Sequence, residues 1–382
     1  MATTRNVAGF LAERQTQCSP SVAAIWGELE DLYNKKLWHQ LTLRLVEVVK
    51  NNEFAGDGLV SMYDNFLADF DHRINPLSLV EIALFIARQI PDPTATIEFL
   101  EKIRDKVKTN EEASILCQTS IANVHLQQKD LEKTKVLVES VGKLVEGLDG
   151  VTPVHGRYYE LSSNYHKLMG DHAAYYRDAL RYLGCTELRD IAAEERTERA
   201  FNLALAALLG KGVYNFGELL AHDILKDLKG GSSQWLVDLL FIFNSGNVAK
   251  FISQKSVWTK QADLAKAENF LLEKIRLLSL MEMTFKRPAN SRQLAFDEIS
   301  KAAQVDVNDV ELLVMKALSL DLVRGSIDQV EQKCHMTWVQ PRVLDLEQIG
   351  IMQQKLKLWC EEVKSMEMMV EVKAHDILDM HR

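Results

Sequence analysis

Apolar residues recur in steps of three and four through the first two hundred positions, which is the spacing of amphipathic α-helices. The polar turn at residues 34–36 separates a helix that contains Leu29 from a second helix that contains Leu41 and Leu45. Ser21 is placed to cap the first of these helices. Two helices joined by so short a turn form an antiparallel hairpin, and its apolar stripe is buried most simply against another hairpin. The pattern therefore predicts a stack of helical hairpins.

A loose internal repeat supports this stack. Leu29, Ile121 and Leu161 are each followed by Tyr or His four residues later and by Thr or Ala thirteen residues later. A small residue facing a large one lets two helix axes approach closely. The spacing resembles that of tetratricopeptide repeats, although Glu30 stands where that family places glycine. We predict a degenerate helical-repeat solenoid over residues 1–170, with an irregular helical domain as the alternative.

The segment that follows Pro288 has a different pattern of short elements. They come in the order strand, helix, helix, strand, strand, which is the order of a winged-helix domain. Asn308 and Glu311 have the spacing of a capping box at the second helix, and Gly325 is expected in the left-handed position after it. The predicted elements are a strand at 292–296, helices at 297–305 and 308–322, and strands at 326–333 and 334–340.

One long helix is predicted beyond Pro341, from about residue 345 to residue 374. Apolar residues alternate along it in steps of three and four, which is typical of the seam of a coiled coil or helical bundle. The segment is too isolated to bury such a seam alone, so it needs a partner, or it packs back on its own winged helix. The seam consists of Ile349, Met352, Leu356, Trp359, Val363, Met366 and Val370.

Composition agrees with a mainly helical chain. Among 382 residues there are 7 Pro and 18 Gly, while 47% of the residues are apolar, so helix breakers are few and a sizeable core is possible. This length predicts two or three domains in a soluble protein. The N-terminal residues contain no apolar signal core, and the five scattered cysteines fit reduced thiols in the cytoplasm or nucleus.

Signatures of catalysis and of cofactor binding are missing. The segment 210–212 lacks the length and the ending of a phosphate-binding loop, and no zinc-protease motif occurs. Cys334 and His335 are neighbours in a predicted strand, so their side chains point to opposite faces and cannot act as a nucleophile pair. We predict no catalytic residue, no metal ligand and no cofactor, and therefore a protein that is not an enzyme.

A winged helix raises the question of nucleic acid. The formal net charge of the chain is −9, and residues 286–342 contain eight basic and eight acidic residues. The second helix of the winged helix carries Asp309, Glu311 and Asp321 against Lys316. Because phosphate contacts dominate nucleic-acid affinity, this helix is better suited to binding protein. A nucleic-acid-binding adaptor remains the alternative.

Several strings in the second half of the chain resemble a PCI domain, which combines a helical part with a winged helix. The proteasome lid, the signalosome and a translation initiation scaffold share this module. The first string, together with the layout of essentially the whole chain, is similar to the subunit 13 family of non-ATPase proteasome regulatory subunits. The strings are Tyr214-Asn215-Phe216-Gly217-Glu218-Leu219-Leu220, Trp235-Leu236, Phe243-Asn244-Ser245-Gly246, residues 311–317 and residues 325–330.

The resemblance implies a mainly α fold with a helical-repeat domain at 1–170, a PCI domain at 171–340 and a C-terminal bundle helix and tail at 341–382. Within the PCI domain, the helical part would span 171–287 and the winged helix 288–340. It implies a non-catalytic structural subunit of the proteasome regulatory-particle lid, which serves ATP-dependent degradation of ubiquitinated proteins. A PCI scaffold of the signalosome or of the translation initiation complex is the alternative.

The resemblance also implies where partners bind. In that family, winged helices associate side by side and the C-terminal helices gather in a bundle. The expected partners are other PCI-domain and lid subunits in a hetero-oligomer, without nucleic acid or membrane, in the cytoplasm and nucleus. The predicted interface combines the seam residues with four residues of the winged-helix sheet, which are Ile327, Val330, Met336 and Trp338.

Overall fold

The structure of the chain is a computed structural model that describes residues 7–17, 20–51, 57–288, 291–344 and 346–373. The chain divides into two compact units, Met1–Asp190 and Ile191–Arg382. The domain boundaries predicted at residues 170, 287 and 340 stay predictions.

The first unit is built from helices and short helical turns. A π-helical turn covers Tyr63–Leu67, and 3-10 turns cover Asp71–Arg73 and Leu188–Asp190. The α-helices are α1 (Val7–Gln17), α2 (Pro20–Asn34), α3 (Trp38–Lys50), α4 (Asp57–Met62), α5 (Ala68–Phe70), α6 (Pro76–Ala87), α7 (Pro93–Lys106), α8 (Glu111–Gln127), α9 (Leu131–Glu146), α10 (Pro153–Met169) and α11 (His172–Cys185).

Side-chain caps determine where most of the later helices begin. A side-chain oxygen of the residue before each helix accepts a hydrogen bond from a backbone N–H of the first turn, and this satisfies a group that has no partner within the helix. Helix α2 begins at Pro20, and the side chain of Ser21, which we predicted to be its cap, lies outside the described residues. The capping residues are Asn75, Asp92, Asn110, Asp130 and Asp171, before α6, α7, α8, α9 and α11.

The helices of the first unit pair as the internal repeat predicts. Helix α2 packs against α3, α8 against α9 and α10 against α11, while α6, α8 and α10 lie side by side in one layer. The large repeat residues Leu29 and Leu161 are buried, and so is the small Thr134 on the second helix of its pair. The prediction of stacked helical hairpins is confirmed.

The second unit contains a helical part followed by a small sheet. The unit also contains a 3-10 turn at Asp223–Leu228, besides the helices and strands that follow. Its elements are α12 (Ala193–Leu209), α13 (Gly217–Ala221), α14 (Gln234–Ser245), α15 (Val248–Ser253), α16 (Lys255–Trp258), α17 (Ala262–Lys266), α18 (Glu268–Lys286), β1 (Gln293–Ala295), α19 (Phe296–Ala303), α20 (Val307–Ser319), β2 (Val323–Asp328), β3 (Lys333–Val339) and α21 (Leu346–Lys373).

The winged helix lies between α18 and α21. Its three strands are antiparallel in the order β1-β3-β2, so that β3 is central. Helix α18 packs against α19, α20 and β3 and so joins the helical part of the unit to the winged helix. Ile299, Val310 and Met336 are among the side chains that fill its core. The predicted order of strand, helix, helix, strand, strand is confirmed.

Two local expectations within the winged helix were wrong. The cap of α20 is Asp306, whose side chain accepts from the N–H of Asn308, so Asn308 and Glu311 do not form a capping box. Gly325 lies inside β2, beside a bulge, and not at a helix end. A Cβ atom at Gly325 would lie 2.2 Å from the carbonyl oxygen of His335, so glycine is needed there for a close approach of two strands. The left-handed residue after α20 is Asp321.

Candidate interaction surfaces

The most extensive apolar surface of the described chain lies on α21. Every described side chain between residues 351 and 371 is exposed, and Trp359 and Met366 are 63% and 69% exposed. The alternative in which this helix packs back on its own winged helix is therefore not what the structure contains. All seven seam residues are exposed on α21, namely Ile349, Met352, Leu356, Trp359, Val363, Met366 and Val370.

The segment before α21 is fixed to the helical part of its unit. The guanidinium of Arg342 donates to Glu282 on α18 at 2.7 Å and to the backbone and side-chain oxygens of Asn244 at 2.7 and 2.8 Å. The Arg342 side chain is 6% exposed, and burial lowers its pKa while the Glu282 carboxylate opposes that shift. The segment before α21 is thus held in place up to residue 344, while the side chains of α21 from residue 351 to residue 371 are exposed.

The first PCI-like string, Tyr214–Leu220, which we call the signature, packs against the segment before α21. Asn215 accepts from the N–H of Gly217 at 3.2 Å and shapes the turn into α13, while the buried ring of Phe216 packs edge-on against Phe243. A Cβ atom at Gly217 would lie 2.4 Å from Cβ of Val343, which is the residue after Arg342. Only glycine leaves room for the connection to α21 at this point. The other signature residues are Tyr214, Glu218, Leu219 and Leu220, of which Leu219 is fully buried.

A buried lysine occupies the centre of the helical part. Lys274 on α18 is 1% exposed, and its Nζ donates to the carbonyl oxygens of Ala207, Leu208 and Gly210 at 2.8, 2.9 and 2.8 Å. These are carbonyls at the C-terminal end of α12, where helical partners are lacking. Burial lowers the pKa of Lys274 to about 7. Three aromatic rings lie 5.4–5.8 Å from the Nζ, those of Tyr214, Phe216 and Phe270.

Lys274 is not among the residues predicted from the sequence. The available signal is its position, because Leu271 and Leu278 stand three residues before it and four residues after it on the apolar face of α18. A lysine on such a face needs acceptors for its three N–H groups. Tyr214 and Phe216 of the signature supply two of the three aromatic rings near its Nζ, and so the signature packs against α18 at this point.

The sheet of the winged helix offers a second surface. Strand β2 pairs with β3 alone among the described residues and so forms an edge of the sheet. Val330 in the turn between the two strands is 96% exposed, while Ile327 and Trp338 are half-buried. Met336, which we predicted to lie in an interface, is 1% exposed and belongs to the core of the winged helix, so its side chain is not accessible to a partner. The guanidinium of Arg324 lies 4.6 Å from the ring centroid of Trp338 and covers it.

Ion pairs within the second unit engage most of the cations of the winged helix. Lys316 on α20 pairs with Glu273 at 3.3 Å, and Arg324 with Asp321 at 2.8 Å. Cations already paired with carboxylates are poorly placed to neutralise a phosphate backbone. The exposed face of α20 carries Leu312, which is 64% exposed, and this also favours a protein partner.

The described residues contain no group of three or more side chains suited to holding a metal ion. Cys334 is buried on one face of β3 and His335 is exposed on the other, as the alternation predicts. Burial raises the pKa of Cys334 to about 11 and that of Cys117 to about 12, which keeps both thiols protonated and unreactive. No helix within the described ranges has the length and apolar character needed to cross a membrane.

We predict that Arg342→Met lowers the free energy of unfolding by about 2 kcal/mol, because the variant leaves the carboxylate of Glu282 buried without its main partner. Glu282 is 15% exposed, and Lys286 at 3.3 Å compensates only in part. Scanning calorimetry of the full chain measures the loss. Lys333→Met is the matched control, since it removes an exposed pair with Glu331 and is expected to cost less than about 0.5 kcal/mol. Equal losses in the two variants would contradict the anchoring role of Arg342.

Comparison with known proteins agrees with this architecture. Residues 25–240 match the family described as PSD13 N-terminal repeats, and residues 248–338 match the PCI domain. The chain is therefore a PCI-domain protein with N-terminal helical repeats. The first match covers more than half of the chain, and similarity to full-length relatives specifies the class further.

A protein of Arabidopsis thaliana, 26S proteasome non-ATPase regulatory subunit 13 homolog B, is 36% identical over 96% of this chain and 98% of its own length. The 26S proteasome non-ATPase regulatory subunit 13 of Dictyostelium discoideum is 37% identical over 94% and 95%. The chain belongs to the family of the 26S proteasome non-ATPase regulatory subunit 13. Subunit M of eukaryotic translation initiation factor 3 from Coccidioides immitis is 26% identical over 50% of this chain and 41% of its own length.

Proposed function

We propose that this chain is a non-catalytic structural subunit of the lid of the proteasome regulatory particle. In this role it supports assembly of the complex and so the ATP-dependent degradation of ubiquitinated proteins. The observation that carries the proposal is α21, a 28-residue helix whose described surface from residue 351 to residue 371 is exposed and rich in apolar side chains. A surface of this kind is typical of a helix that is buried in an assembly. Family membership supports the proteasome as that assembly.

Two surfaces of the second unit would take part in assembly. The seam of α21 would enter a bundle with the C-terminal helices of other subunits, since its apolar residues fall in steps of three and four. The edge strand β2, with Ile327, Val330 and Trp338, would meet the winged helix of a neighbouring PCI-domain subunit. The contacts of Arg342 with Glu282 and Asn244 support both roles, because they hold the residues before α21 against the helical part of the same unit.

We further propose that the chain is not an enzyme, that it acts in the cytoplasm and nucleus, and that its partners are proteins. The high pKa values of the buried thiols support the proposal that the chain is not an enzyme. The internal pairing of the winged-helix cations supports the proposal that its partners are proteins.

Mass spectrometry of the native complex that co-purifies with the tagged full-length chain tests the proposal. Subunits of the proteasome regulatory particle are expected in equal stoichiometry with the chain. Recovery of signalosome or translation initiation subunits in their place would overturn the assignment to the proteasome. Binding of duplex or single-stranded nucleic acid through this chain, with a steep dependence on salt, would overturn the proposal that all its partners are proteins.

A further inference from the structure

A groove in the first unit is not used by the surfaces described above. It has a volume of about 660 Å³, and α6, α7, α8 and α10 line it, together with Pro91 in the turn before α7. We propose that this groove binds an extended, acidic peptide segment of a partner protein. The proposal concerns the first unit only and does not depend on the proteasomal role of the chain.

Two polar stripes face the groove from neighbouring helices. In each stripe the residues are three and four positions apart, so that their side chains project from the same side of the helix. Helices α8 and α10 lie side by side, and the two stripes therefore run along one groove. The stripe of α8 consists of Ser120, Asn123 and Gln127, and the stripe of α10 consists of Arg157, Glu160 and Asn164.

Most of these polar groups are free to bind a ligand. Within the described part of the chain, the side chains of Asn123, Gln127, Asn164 and Arg157 make no hydrogen bond and no ion pair. A side-chain amide has both a donor and an acceptor, as a peptide group does. Amides spaced along a groove can therefore bind the N–H and C=O groups of an extended segment, whose main chain has no internal partners.

The charge of the lining indicates an acidic ligand. Arg88 and Arg157 line the groove against a single carboxylate among its lining residues, that of Glu160. The groove is thus positive in a chain whose formal net charge is −9. Guanidinium groups bind carboxylates with two parallel hydrogen bonds, so Arg88 and Arg157 would fix acidic side chains at two points.

Apolar residues form the floor of the groove. Leu84 of α6 is half-buried and provides contact area for an apolar side chain of the ligand, while Leu116 of α8 and Leu161 of α10 are almost fully buried. The combination of an apolar floor, amide groups and two arginines matches a short segment in which acidic and apolar residues alternate.

A library of acetylated eight-residue peptides tests the proposal with the full chain. The peptides retained by the chain are expected to be enriched in Asp and Glu, and the most enriched one is then measured by fluorescence anisotropy. Arg88→Glu combined with Arg157→Glu is expected to weaken its binding at least tenfold. Asn123→Ala combined with Asn164→Ala is expected to weaken it about fivefold without changing the preference for acidic peptides.

The matched control combines Lys108→Glu with Arg189→Glu, which makes the same change of charge at exposed positions of the same unit outside the groove. This control is expected to bind the peptide as the unaltered chain does. Failure to retain peptides, a retained set without acidic bias, or equal losses in the groove and control variants would overturn the proposal. Equally strong competition by a single-stranded oligonucleotide of eight nucleotides would overturn it in favour of a phosphate ligand.

Discussion

Replacing Leu356 and Val363 with aspartate is expected to abolish incorporation of the chain into its complex and to leave the isolated chain folded. Both side chains are about half exposed on α21, at 49% and 52%, so the free energy of unfolding of the isolated chain should change by less than about 0.5 kcal/mol. In a bundle the same positions would be buried. Each buried, unpaired carboxylate costs several kcal/mol, and two of them would weaken association by more than about a thousandfold.

The control for this variant lies on the same helix. Ile351 and Leu358 are also seven residues apart, exposed and apolar, but they lie on a different side of α21 from the seam. Ile351→Asp with Leu358→Asp therefore makes the same chemical change at the same spacing. We expect this control chain to assemble, as measured by co-purification of partner subunits from cells that express each variant at equal level.

Removal of residues 346–382 extends the same test. The truncated chain keeps Arg342 and its contacts with Glu282 and Asn244, so the winged helix and the helical part should remain folded. It should not join the complex. A truncated chain that co-purifies with its partners as well as the full chain does would show that the seam is not the assembly surface. Loss of assembly in the Ile351 and Leu358 control would show instead that α21 is buried on all sides.

Periodicity predicted the helical elements well because it reflects burial directly. The steps of three and four around Leu29 and Leu161 correspond to residues buried between paired helices. The same spacing on α21 identified the seam residues without saying what covers them. A sequence shows that one face of a helix is apolar. Only the folded chain shows that this face is not buried against the rest of the chain and is therefore accessible to a partner.

Close approach and long-range hydrogen bonding were not visible in the pattern. Gly325 follows a helix and fits a helix end, but its actual role depends on the carbonyl of His335 on the neighbouring strand. Lys274 bonds to carbonyls 64 to 67 positions earlier in the chain. Local spacing contains no information about such contacts, and so the central polar interaction of the second unit was missed.

That interaction leads to a second large effect. Lys274→Met is expected to lower the free energy of unfolding by about 3 kcal/mol at pH 7, because methionine fills the space but leaves the carbonyls of Ala207, Leu208 and Gly210 without their Nζ donor. Lys266→Met is the control, since this lysine is exposed on α17 in the same unit. Urea denaturation of both full-length variants measures the difference.

The loss in Lys274→Met should also depend on pH, in a direction that follows from the buried position of the ammonium. Burial lowers the pKa of Lys274 in the folded chain to about 7, whereas an unfolded lysine has a pKa near about 10.4. Below pH 7 both states carry the proton, and the folded state bears the full cost of the buried charge. Between about pH 7 and pH 10 the folded state releases its proton first, so the unfolded state binds more protons and stability rises with pH.

Lys274→Met removes this titration, so the stability advantage of the unaltered chain over the variant should increase by about 3 kcal/mol from pH 6.5 to pH 9.5. Other groups that titrate in this range are common to both chains and cancel in the difference. The carbonyl end of α12 and the three aromatic rings favour the ammonium, and they limit the increase to less than burial alone would give. A difference that stays constant with pH would mean that these acceptors compensate the burial completely. A difference that shrinks would mean that the pKa is raised, and would contradict burial as the dominant effect on Lys274.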